Sequence, residues 1–189
     1  MNLLDEMFDN LHGLKRLEII YSHFDHISEN VFQRLYNLEC LFILESDFTS
    51  HLTFSRMPQL KALFLDNFSW SQLDLSTLPS LSLLSFKYID SEDEVANKSE
   101  YLRNLKHSNL KALKIEKCKF PNFDTTVLSG FTALQILRIE SSEIESITFG
   151  ENLSNLHTLV LNYIENFKTL DSSISLLKGL KSLVLTSNR

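Results

Sequence analysis

The chain has 189 residues, 43% of them hydrophobic, and its 24 acids against 18 Lys and Arg give a formal charge of −6. A net acidic chain lacks the cationic surface that a phosphate backbone requires, which excludes nucleic acid as the first reading of a partner. No uninterrupted apolar run approaches the roughly 20 residues of a membrane span, so direct membrane insertion is not expected. The acidic start, MNLLDEMFDN, does not read as a secretory signal.

In chain order, one phrase recurs: an apolar residue, two variable residues, an apolar residue, one variable residue, an apolar residue. Its copies are Leu14/Leu17/Ile19, Leu38/Leu41/Ile43, Leu60/Leu63/Leu65, Leu81/Leu84/Phe86, Leu110/Leu113/Ile115, Leu134/Leu137/Ile139, Leu156/Leu159/Leu161 and Leu180/Leu183/Leu185. Their starts lie 24, 22, 21, 29, 24, 22 and 24 residues apart. A period in the low twenties that keeps its phase predicts a solenoid of stacked units rather than a globule around one centre. The last two apolar residues of each phrase are two apart and share one face of a strand. The residues between and beside them, among them Glu18, Phe42, Phe64, Lys114, Arg138 and Val160, are expected to face the other way. Further apolar residues such as Phe24, Ile27, Phe32, Phe120, Phe123 and Phe131 fall in the return segments, where they cover the inner face of the sheet. Each such side chain, once buried, is worth roughly 1.5–3 kcal/mol.

Residues 6–14 parallel residues 30–38, so the chain is expected to open part-way through a repeat and to close just after a strand at Ser187-Asn188-Arg189. Stacked repeats need polar caps, and none is visible, which points to an internal piece of a longer protein. The fourth repeat is longer than its neighbours. Its residues 90–105 are expected to form an acidic helical insertion, opened by the Ser91/Glu94 capping pair, with Val95, Leu102 and Leu105 on one stripe. The charges of this helix are expected to lie in water on the side away from the sheet.

Little in the chain points to chemistry. Of the histidines only His23 and His26, with Asp25 between them, approach a metal-binding spacing, and no third ligand follows. No nucleophile elbow or phosphate-cradling glycine loop is present, so neither an enzyme nor a cofactor is expected. Cys40 and Cys118 lie three repeats apart, about 14 Å at roughly 4.8 Å per strand, too far for a disulfide. The Lys114/Lys117/Lys119 group contains Glu116 and reads as a solvated face. Acceptor patterns for glycosylation occur at Asn67, Asn97 and Asn152, in numbers that chance supplies, and Asn97 is the one expected to be accessible.

Function is therefore expected on the outward positions of the strands. Ile20 and Tyr21, Phe42 and Leu44, and then Phe64 lie side by side on the first three strands, with Tyr88 at the edge of the group. Neighbouring exposed aromatics resemble the anchors of protein interfaces. Lys114 and Arg138 belong to a mixed charged flank on later strands. An apolar centre beside a charged flank suits a protein ligand better than a small molecule, which needs a deep pocket.

The phrase, in a repeat of this length, resembles the leucine-rich repeat family from about Leu4 to Asn188. The resemblance implies an α/β solenoid forming one domain over residues 1–189. It would be an arc with about eight parallel strands on its concave face and irregular or short helical returns on its convex face. It further implies a non-enzymatic module that binds a macromolecular partner on the concave sheet, within a larger receptor or adaptor; a structural spacer is the alternative. Three residues after the third apolar position the family carries Asn, or sometimes Cys, Ser or Thr. Here that column reads Ser22, Ser46, Phe68, Ile89, Cys118, Ser142, Ile164 and Asn188, and irregular turns are expected at its apolar members. Residues 28–38 and 127–134 resemble extracellular animal repeats, including Toll-like receptor ectodomains, which implies a cell-surface or secreted parent. Residues 110–118 resemble intracellular plant-type repeats of immune sensors and F-box proteins, which implies the opposite.

Overall fold

The computed structural model describes residues 2–28, 30–48, 54, 57–66, 73–87 and 100–189. Each repeat phrase yields one five-residue strand: β1 Arg16–Ile20, β2 Cys40–Leu44, β3 Ala62–Asp66, β4 Leu83–Lys87, β5 Ala112–Glu116, β6 Ile136–Glu140, β7 Thr158–Asn162 and β8 Ser182–Thr186. All eight lie in one parallel sheet in chain order. Register follows the phrase: Leu17 is level with Leu41, Leu63, Leu84, Leu113, Leu137, Leu159 and Leu183. The same two apolar positions of every strand therefore face the same way and build one continuous inner layer. Leu41, Leu63, Leu84, Leu113, Leu137 and Leu159 are all buried, as are Ile43, Leu65, Phe86, Ile115, Ile139 and Leu161. On the edge strand β8 the corresponding Leu183 and Leu185 stand 43% and 48% exposed.

The first apolar residue of each phrase lies just before the strand and closes a turn. In all eight repeats its N–H donates to the carbonyl three residues back, from Leu14 to Leu11 (3.0 Å) through Leu180 to Leu177 (3.0 Å). The residues supplying those carbonyls are apolar except in one repeat, where His107 takes the place. Its ring is buried and its Nε2 lies 2.8 Å from the Leu78 carbonyl.

Strands end on a second recurring turn. Tyr21, Glu45, Lys117, Ser141, Tyr163 and Ser187, each directly after a strand, have φ between 47° and 55°. This left-handed region usually favours glycine, and none of the six is one. The next residue belongs to the polar column. Ser46 Oγ accepts the Ser22 N–H (3.1 Å), Ser142 Oγ accepts that of Cys118 (3.1 Å), and Asn188 Oδ1 accepts that of Ile164 (3.0 Å). The same side chains donate to the Leu44, Glu140 and Leu161 carbonyls. One polar side chain thus ties two successive turns.

At Ile164 the irregular turn expected from the sequence does not occur. Tyr163 keeps the left-handed geometry (φ 55°), and the Ile164 side chain is fully buried. The bond comes from the following repeat, so Ile164 needs only its own N–H, and its side chain is free to pack. Phe68 and Ile89 lie outside the described residues.

Behind the sheet, rings fill the space between stacked units, with Phe8, Phe32 and Phe54 stacking at 6.2 Å per step. Return segments contain more extended backbone than expected. Asn2–Leu3 pairs with His26–Ile27 and His23–Phe24 with Asp47–Phe48. Asn122–Asp124, Ser146–Thr148 and Thr169–Leu170 form a second parallel ladder. Short 3-10 turns follow, three of them started by an aspartate: Asp74, Asp124 and Asp171 accept the N–H two residues on at 2.9, 2.9 and 2.7 Å. Among the described residues the helical contribution is one α-helix, Glu100–Asn104. It is the described part of the insertion expected over 90–105; Leu102 and Leu105 are buried, and residues 90–99 lie outside the described residues.

Candidate functional site: the open face of the sheet

Alternation along the strands leaves the first, third and fifth residues on the open face. Register aligns the third positions in one row: Glu18, Phe42, Phe64, Ser85, Lys114, Arg138, Val160 and Val184. Within it the Phe42 and Phe64 rings stack with centroids 4.1 Å apart and planes 6° from parallel. The Arg16 guanidinium carbon lies 4.1 Å from the Phe42 centroid, and Arg16 Nε donates to Glu18 Oε1 at 2.5 Å. The result is a three-layer stack of guanidinium, ring and ring across β1, β2 and β3. Both rings are half-buried, although they sit on the side of the sheet opposite the buried inner layer.

Of the other residues expected here, Ile20 is 37% exposed and Leu44 half-buried, both on the open face at the ends of β1 and β2. Tyr21 occupies the left-handed turn just past β1 and is 81% exposed, so it stands on the rim of the sheet instead of its floor. Tyr88 lies outside the described residues. Lys114 and Arg138 are both on the open face but are bound to carboxylates of the same surface. Lys114 Nζ lies 2.7 Å from Glu116 and 2.9 Å from Glu140, and Arg138 lies 2.7 Å from Glu140. Partial burial opposes the charge on both Lys114 and Glu140. The hydrogen bonds outweigh it, raising the Lys114 ammonium above and lowering the Glu140 carboxyl below their ordinary values.

Between the aromatic stack and this charged flank lies a second cluster that the sequence reading missed. Lys87 pairs with Glu45 and, at 3.2 Å, with Asp66 Oδ2. Asp66 is only 2% exposed; its carboxylate also accepts the Glu45 N–H at 3.3 Å, and Oδ1 has no hydrogen-bond partner among the described residues. Burial works against the Lys87 charge, but the two carboxylates dominate and raise its pKa. Lys87, by its hydrogen bond, lowers that of Glu45. The stack and the cluster bound a hollow of about 360 Å³ whose lining includes Phe42, Phe64, Ser85, Lys87, Lys114 and Glu116. One signal for Asp66 was present in the sequence: an acid in the column where β1 and β2 carry Ile20 and Leu44.

Elsewhere, His23 Nε2 lies 3.6 Å from Asp25, and no group of three or more His, Cys, Asp or Glu suited to a metal occurs among the described residues. Cys40 and Cys118 are not joined in a disulfide; the first is partly exposed and the second buried, with its Sγ donating to the Glu116 carbonyl at 3.2 Å. The Asn152 amide donates to the Thr125 carbonyl at 2.9 Å and is half-buried, a poor acceptor for sugar; Asn67 and Asn97 lie outside the described residues. No described helix is long and apolar enough to cross a membrane.

Solved structures with a similar fold include two internalins. An internalin (inlF) from Listeria monocytogenes is 19% identical, superposes on 96% of this chain with a TM-score of 0.53, and is itself covered over 57% of its length. An internalin C2 (inlC2) from the same organism is 17% identical over 95% of this chain and 82% of its own, with a TM-score of 0.55. The fold is a leucine-rich-repeat solenoid. No protein-family model and no curated protein matches the sequence. The solenoid therefore spans little more than half of the first internalin, and the likeness at this identity is one of fold.

Proposed function

We propose that the chain is a non-enzymatic recognition module that captures a protein partner on the open face of its sheet, as part of a larger receptor or adaptor. One observation carries this reading: two phenylalanine rings, stacked and half-exposed, lie on a strand face that solvation would normally fill with polar residues. Ile20 and Leu44 extend the apolar area, and the Lys87 and Lys114 clusters supply a polar border. An apolar anchor with a polar rim is the usual anatomy of a protein interface. On the later strands the charges neutralise one another, so Lys114 and Arg138 set specificity at the border and the rings supply the affinity.

The test is a comparison of the wild-type chain with the double variant Phe42→Ser/Phe64→Ser in affinity capture quantified by mass spectrometry. Circular dichroism serves as the fold control. Partners retained by the wild type and lost from a folded double variant support the reading. Undiminished capture by the variant points instead to a spacer, or to a partner site elsewhere on the solenoid.

A further inference from the structure

The Phe42–Phe64 stack runs along the row from strand to strand, so its two ends meet different neighbours. At the β1 end the outer face of Phe42 is covered by the chain's own Arg16, whose Nε is held by the Glu18 carboxylate at 2.5 Å. At the other end the outer face of Phe64 looks towards β4, where the register partner is Ser85. A serine side chain is too short to cover a phenyl ring, and the next side chain in the row is Lys114, drawn towards Glu116 and Glu140. The row thus loses one rung, about 4.8 Å wide, within the hollow.

The charge around that gap is unbalanced. Among the side chains that line it, Glu45, Asp66 and Glu116 supply three carboxylates against the two ammonium groups of Lys87 and Lys114; Lys117, which also acts on Glu45, is solvent-exposed and outside that lining. Asp66 is nine-tenths or more buried, with one oxygen lacking a hydrogen-bond partner among the described residues. A carboxylate or phosphate would meet a surplus of like charge, and a neutral aromatic ring would leave that surplus uncompensated. A lysine ammonium would supply the charge without the flat surface that a ring face receives well. A guanidinium is planar, permanently charged and weakly hydrated, and it meets all three requirements.

We propose that this hollow is an arginine subsite. The guanidinium of an arginine side chain, presented by the polypeptide partner, stacks on Phe64 over Ser85 and pairs with the Glu116 carboxylate. The arrangement repeats what Arg16 and Glu18 do on Phe42 at the other end of the stack. This rests on the open face being the recognition surface and adds the chemistry of one anchor.

The experiment is an NMR titration of the isotope-labelled chain with N-acetyl-argininamide, following the Phe64 ring and the Ser85 amide. N-acetyl-lysinamide and N-acetyl-phenylalaninamide serve as comparisons. Saturable shifts are expected with a dissociation constant on the order of millimolar, and at least about fivefold weaker binding of the other two amides. Ser85→Phe extends a row that already holds phenylalanine on two strands, so it fills the gap and should abolish the shifts. Glu116→Gln preserves shape and should weaken binding by about threefold or more. Three results would overturn the proposal: no saturable shift at Phe64, equal or tighter binding of the lysine or phenylalanine amide, or retained binding by a folded Ser85→Phe chain. Each removes the arginine subsite alone, because Ser85→Phe leaves both rings in place. The face as a whole stands or falls with capture by the Phe42→Ser/Phe64→Ser chain.

Discussion

The Ser142 hydroxyl accepts the Cys118 backbone N–H at 3.1 Å and donates to the Glu140 carbonyl at 2.9 Å, joining two consecutive repeats at the exit of their strands. Ser142 is 1% exposed, so no water replaces it if it is lost. Ser142→Ala is expected to destabilise the chain by about 1–3 kcal/mol, the range for leaving a buried backbone donor unpaired. Ser142→Asn should retain much of the stability, because in the same column the Asn188 side chain accepts the preceding repeat's N–H in the same way, while donating to the Leu161 carbonyl of that repeat. Urea denaturation of the two variants distinguishes a bonding role from simple space-filling, which predicts that Asn is the worse replacement.

The two sides of the sheet should respond to truncation in different ways. Leu113→Ala opens the inner layer at a residue 1% exposed and is expected to cost about 2–5 kcal/mol. The Phe42→Ser/Phe64→Ser pair removes half-exposed rings that stack on each other and, at Phe42, on Arg16, and the folded chain should persist. Thermal melts check the order. A tolerated Leu113→Ala beside an unfolded double serine variant would mean that the faces are reversed.

Stability should depend on pH at both the acid and the alkaline extreme. Glu45 and Glu140 are held below the ordinary glutamate value of 4.5. Between that value and their native ones the unfolded chain binds more protons, so their contribution is complete above about pH 4.5 and disappears on further acidification. Lys87 and Lys114 are raised above 10.5, so their contribution is complete below that pH and is lost as pH rises through the native values. Denaturation midpoints measured across the acid limb should show a shallower decline for Glu140→Gln than for the wild type. An identical decline would mean that the Lys114–Glu140–Arg138 cluster adds nothing to folding.

Gly130 should not tolerate a side chain. A Cβ there would come within 2.3 Å of the Leu105 carbonyl oxygen and 2.9 Å of the Lys106 Cα, both of them backbone. Neither can yield without moving the segment whose His107 N–H bonds Gly130 itself. Gly130→Ala is expected to lower stability by about 1–3 kcal/mol through this overpacking, read from the urea midpoint.

Tyr163 tests the strand-exit turn. Its φ of 55° is costly for a side chain branched at Cβ, so Tyr163→Val should destabilise by about 1–2 kcal/mol, while Tyr163→Gly should be close to neutral or mildly stabilising. Calorimetric melting temperatures decide between the two. A stable valine variant would show that the turn can relax into an extended form.

The inner layer was legible in the sequence because Leu41, Leu63, Leu84 and their counterparts obey one spacing, and burial follows from spacing alone. Phe42 and Phe64 were legible for the same reason, as odd apolar residues on the opposite parity. Asp66 was visible as an acid in an apolar column, but its burial was not, since that depends on Lys87, 21 residues later, and on the backbone of Glu45, 21 residues earlier. Arg16 over Phe42 is likewise a contact between repeats that no local pattern records. The aspartate starts of the 3-10 turns were written in Asp74-Leu75-Ser76, Asp124-Thr125-Thr126 and Asp171-Ser172-Ser173, a local signal that the apolar count passed over. Ile164 misled because its bond is made by the residue one repeat further on.

Tyr21, Glu45, Lys117, Ser141, Tyr163 and Ser187 are all solvent-exposed and all hold the same backbone shape. Their identities range over an aromatic, an acid, a base and a hydroxyl, so that geometry is imposed by the bonds around it and not by the side chain it carries. The border of the sheet can therefore drift in charge and size from repeat to repeat while the scaffold beneath is inherited unchanged. Selection for new partners would find its cheapest substitutions there.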